Sequence, residues 1–102
     1  MQHRFILIAA LVAAMSPPAQ ASWQLASDKG CTNCHGAFRR GDAPSFERLS
    51  AKLAKLKGDL AAEQRFVAEY QAGEMFNHVD THERLSAESA KALIHWLVEG
   101  AK

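Results

Sequence analysis

The chain has 102 residues, 48% of them apolar, with 12 Lys and Arg against 11 Asp and Glu. That length allows one domain, and a net charge of +1 removes any global electrostatic argument for nucleic-acid binding. A domain this small buries a limited share of its surface and often depends on a disulfide, a metal or a cofactor for stability.

The first element is "MQHRFILIAALVAAMSPPAQA", residues 1–21. It has a basic start at His3 and Arg4, an apolar run from Phe5 to Met15, a break at Pro17 and Pro18, and small residues at Ala19 and Ala21. This is the pattern of a cleaved signal peptide, and the apolar run is too short to span a bilayer. The expectation is an exported domain over residues 22–102, with no membrane span after cleavage. Losing Arg4 with the leader leaves that domain with balanced charge.

The remaining elements read as helices, and no segment alternates in the manner of a strand. A short helix runs from Trp23 to about Lys29 and stops at Gly30. A second follows "GDAP", with Asp42 or Ser45 as its cap and Pro44 tolerated at its entry. Phe46, Leu49, Leu53 and Leu56 form its apolar stripe, Lys52, Lys55 and Lys57 lie off that stripe, and Gly58 ends it. Asp59 caps a third helix with Leu60, Phe66, Val67 and Tyr70 inward and Gly73 as its stop. Residues 74–85, "EMFNHVDTHERL", show no period and read as a loop. Ser86 caps the last helix, assisted by Glu88 in the first turn. Leu93, Trp96 and Leu97 make its inner face, and Lys91, His95 and Glu99 its solvated one. The fold class is all-α, with about four short helices.

Residues 31–35, "CTNCH", hold the only two cysteines. A disulfide between them would close a very small loop and restrict the unfolded chain little. A thioredoxin-like redox pair belongs in a βαβ setting, which is absent. A zinc site would need a second pair of ligands, and His78 and His82 are awkward candidates. C-x-x-C-H is instead the signature of covalent haem attachment. Two thiols one helical turn apart can each form a thioether to one edge of a porphyrin, and the next residue presents an imidazole to the iron. Export agrees, because that attachment is made outside the cytoplasm.

On these residues the chain resembles the class I c-type cytochromes over essentially all of residues 22–102. "GDAPSF" is similar to the loop that follows the haem motif in that family, and "AKALIHWLV" to its aromatic-bearing last helix. The resemblance implies one haem c per chain, held through Cys31 and Cys34, with His35 as proximal iron ligand. It implies that the carbonyl of Pro44, nine residues after His35, accepts from that imidazole's Nδ1–H. Trp96 would pack against the N-terminal helix. The apolar haem shell would come from Phe46, Leu49, Leu53, Phe66, Val67 and Leu97, with Thr32 and Asn33 near the exposed edge.

The family usually places a methionine opposite the histidine, and Met75 is the one methionine left after signal removal. Met75 lies eleven residues before Ser86, where many relatives carry the ligand seven or eight before. His78, and then His82, are therefore rival sixth ligands, and an open site is a further alternative. The implied function is a periplasmic electron-transfer carrier that turns over no substrate of its own. It would exchange electrons with redox-protein donors and acceptors in the periplasm or at the membrane surface, and would bind no nucleic acid. A gas- or small-ligand-binding haem protein and a small haem subunit of a larger oxidoreductase are the alternatives. Arg39, Arg40, Arg48, Lys52, Lys55 and Lys57 make the first half basic, which could orient the chain toward an acidic partner.

Overall fold

The computed structural model describes residues 22–73 and 79–102. Those residues form α1 (Trp23–Asp28), α2 (Thr32–His35), α3 (Phe46–Leu53), α4 (Leu60–Ala72), α5 (Asp80–Glu83) and α6 (Ala87–Val98), with a 3₁₀ turn at Ala54–Leu56 prolonging α3. The four longer helices begin at polar caps. The side chains of Ser22, Ser45, Asp59 and Ser86 accept from the backbone N–H of Leu25, Arg48, Ala62 and Ser89, satisfying donors that the first turn leaves without intrahelical partners. Gly73 closes α4 in the left-handed region, φ 72°, its N–H reaching back to the Tyr70 carbonyl; a Cβ is unfavourable at such a position.

Helix α6 is the spine, packed against α3 on one side and α4 on the other. Ala90, Leu93, Ile94, Trp96, Leu97 and Val98 on α6 are buried together with Phe46 and Leu53 from α3, Val67 from α4 and Ala26 from α1. The 3- and 4-residue spacing of Phe46, Leu49 and Leu53 puts all three on one side of α3. Phe46 and Leu53 are buried there, and Leu49 packs against them half-buried. The indole of Trp96 meets Trp23 edge-on at 5.4 Å and Phe46 at 5.6 Å, and Trp23 meets Phe46 at 4.9 Å. These T-shaped arrangements set positive ring edges against negative faces, and they tie the N-terminal helix to the last one.

Three features differ from the sequence expectations. Within the segment read as a loop, Asp80–Glu83 forms one helical turn, α5. Leu60 is 62% exposed rather than inward, because it is the first residue of α4 and precedes the turns that meet α6. His95 is exposed, yet its Nδ1 lies 2.8 Å from Oε1 of Glu63, which is only 6% exposed. No helix among the described residues is long and apolar enough to cross a membrane.

Candidate haem site

The CTNCH segment is shaped by its backbone. Gly30 adopts φ 79° after α1, and the N–H of Cys31 donates to the Ala26 carbonyl at 2.9 Å, which turns the chain into α2. The N–H groups of Cys34 and His35 both point back to the Cys31 carbonyl, at 3.3 and 2.9 Å, so the two thiols and the imidazole share a single turn. Gly36 follows with its N–H on the Thr32 carbonyl, and a Cβ added there would collide with that same oxygen. The chain returns through Arg40, whose N–H donates to the Cys34 carbonyl at 3.2 Å. This brings Pro44 to His35, where Nδ1 of the imidazole donates to the Pro44 carbonyl at 2.6 Å. With Nδ1–H engaged, Nε2 carries the lone pair, a fixed tautomer with the nitrogen that could ligate a metal.

Cys31, Cys34, His35 and Pro44 line one cavity of about 710 Å³, within the size range of cofactor pockets. Phe46, Leu49 and Leu53 form one wall, Phe66 and Tyr70 another, and Leu93, Ile94 and Leu97 of α6 the back. Arg40, Arg48 and Lys52 are the cationic residues among the lining. Val67, expected in this shell, lies instead in the buried core and outside the cavity lining. Leu93 and Ile94 fill out the shell, and their place on the apolar face of the last helix is the sequence signal for them. Arg39, Lys55 and Lys57 are exposed surface residues, with Lys57 3.7 Å from Glu99. Met75 and His78 lie outside the described residues.

His82, from α5, also lines this cavity. Its ring centre lies 6.3 Å from that of His35, with 14° between the planes, and 4.6 Å from that of Tyr70. Burial, and then the proximity of His35, push the His82 imidazole below its usual pKa. Burial likewise raises the Cys31 thiol and the Tyr70 hydroxyl, since an ionised form is disfavoured away from water. The cavity therefore favours a neutral imidazole and an un-ionised phenol.

These residues fit a covalently held porphyrin: two thiols on one turn, a tautomerically fixed imidazole beside them, and apolar walls of adequate volume. Over 88 aligned residues the chain is 32% identical to cytochrome c-551 of Allochromatium vinosum, an alignment that takes in 82% of this chain and 90% of that protein. The chain belongs to the class I c-type cytochromes. No protein-family model and no solved structure matches it. The all-α architecture of this cytochrome, with its last helix packed across the first through Trp96 and Trp23, is that of a small c-type cytochrome, and its chemistry is electron transfer.

Proposed function

We propose that this cytochrome is a periplasmic electron carrier with a single haem c, bonded through thioethers to Cys31 and Cys34 and ligated by His35. Residues 1–21 would direct export and be removed before Ser22. The observation that carries the reading is the shared turn of Cys31, Cys34 and His35 at the wall of one apolar cavity, with His35 fixed by Pro44.

The haem, when bound, supplies a one-electron ferric/ferrous couple. The chain's own residues set how that couple behaves. Pro44 holds the His35 ring in orientation and raises its basicity by accepting the Nδ1 proton. Phe46, Leu49, Leu53, Phe66 and Leu97 exclude water, which tunes the potential through the local dielectric. Arg40, Arg48 and Lys52 offer positive charge to the porphyrin carboxylates. Cys34 and Asn33 are exposed, which leaves the attachment turn as the approach for donor and acceptor proteins. An iron held on both faces has no place for substrate, in keeping with a carrier and not a catalyst.

The test is maturation of the full chain in a host that attaches haem c. The expected product keeps haem through a denaturing gel, visible by peroxidase stain, and loses it in the Cys31→Ala/Cys34→Ala variant. A matured protein with no haem on the gel overturns the reading. Rapid carbon monoxide binding by the reduced protein at neutral pH would overturn the carrier role in favour of ligand binding.

A further inference from the structure

We propose that His82 is the axial ligand opposite His35, so that the iron is held between two imidazoles; this rests on the single-haem reading above. The argument begins with the two rings. An imidazole nitrogen bound to a metal sits ~2.0 Å from it, and the ring centre lies ~1.1 Å further back along the same line. Two such arms on either side of one metal put the ring centres about 6 Å apart, and His35 and His82 are 6.3 Å apart. Offset-stacked rings in direct contact share this range of centre separations, ~4.5–7 Å, so the cavity that both imidazoles line together with Cys31 and Cys34 is the second observation for a metal between them. The 6.3 Å separation matches that of two imidazoles on opposite sides of one metal.

The surroundings support the same role. Both imidazoles line the cavity that Cys31 and Cys34 also line. His82 is carried on a hydrogen-bonded turn: its N–H donates to the Val79 carbonyl at 3.0 Å, and an Arg84–Asp80 ion pair at 3.0 Å spans the same turn. Tyr70, from α4, lies against the ring at 4.6 Å and 29°. A ligand braced by a neighbouring ring and a helical turn keeps its geometry when the iron changes charge.

Two consequences follow. An imidazole in place of a thioether removes the contribution by which methionine raises the potential, so this carrier works at the lower end of its family's range. Near-parallel ring planes interact with the same iron d orbital and lift its degeneracy, which gives the ferric protein a well-resolved rhombic electron paramagnetic resonance signal.

The experiment uses the matured, haem-bearing full chain and three variants, His82→Ala, His78→Ala and Met75→Leu. The ferric wild type is expected to lack the weak red band of methionine–iron ligation and to show the rhombic signal and the near-infrared magnetic circular dichroism of two nitrogen ligands. His78→Ala and Met75→Leu should keep both signatures. His82→Ala should lose them for a high-spin spectrum, and added imidazole should restore them, separating loss of a ligand from loss of folding. His82→Met should raise the midpoint potential. A wild-type red band that Met75→Leu abolishes overturns the assignment, as does a nitrogen signature lost in His78→Ala and kept in His82→Ala. In those cases the covalent haem and the carrier role stand. A matured chain without covalent haem overturns both.

Discussion

The hydroxyl of Ser50 donates a 2.7 Å hydrogen bond to the carbonyl of Leu97, a buried contact across 47 residues of sequence. Ser50 is 9% exposed on α3, and Leu97 lies on α6 at the back of the haem cavity. The same carbonyl accepts from the N–H of Gly100 at 3.1 Å, so the bond to Ser50 adds to a partially satisfied group. Ser50→Ala is expected to lower unfolding stability by about 1 kcal/mol while leaving the haem spectrum unchanged. Denaturant titration of the matured protein, followed by circular dichroism, measures the first, and an absorbance scan the second.

The Glu63 carboxylate is withdrawn from solvent in the first turn of α4, where the helix dipole favours negative charge. His95 of α6 supplies its hydrogen-bond partner. His95→Ala takes that partner away and should cost about 1–2 kcal/mol. Glu63→Gln combined with His95→Ala should cost less than the sum of the two single changes, since an amide is left without its partner more cheaply than a carboxylate. A double-mutant cycle on unfolding free energies gives the comparison.

Gly36 has no room for a side chain, because its Cβ would press on the Thr32 carbonyl. Gly36→Ala is expected to displace the turn that carries Cys34 and His35, at a cost of about 1–3 kcal/mol. The readout is the yield of covalent haem per chain, which should fall, alongside a broadened haem absorption in the fraction that matures.

Trp96 joins α6 to α1 and α3 through two edge-on ring contacts. Trp96→Ala should destabilise by about 3–5 kcal/mol, a large share of the stability of a domain of this size. Trp23 is 51% exposed, so Trp23→Ala should cost distinctly less. Thermal unfolding of the two variants side by side ranks them.

What was legible in the sequence follows from periodicity and local chemistry. The stripe on α3 and the capping residues Ser45, Asp59 and Ser86 could be read because each signal spans only a few residues. The haem motif is equally local, and the interval from His35 to Pro44 carried meaning through resemblance to a family. What escaped was tertiary. α5 has four residues, too few to show a helical period. Val67 and Phe66 are adjacent on α4, and only the packing of that helix against α6 decides that one enters the core and the other the cavity. Glu63 and His95 are separated by 32 positions, and neither residue type announces the other. Spacing along the chain ranks His82 behind Met75 and His78, whereas the fold brings its ring centre within 6.3 Å of that of His35.

The edge-on pairing of Trp23 with Trp96 gives this cytochrome an optical gauge of its own integrity. These are the chain's two tryptophans, and Trp96 borders the cavity. A haem seated there drains excitation from both indoles, so the native protein is dark in the ultraviolet emission range. Release of the first helix from the last, or of the polypeptide from around the porphyrin, turns that emission on, and unfolding becomes visible without any attached dye.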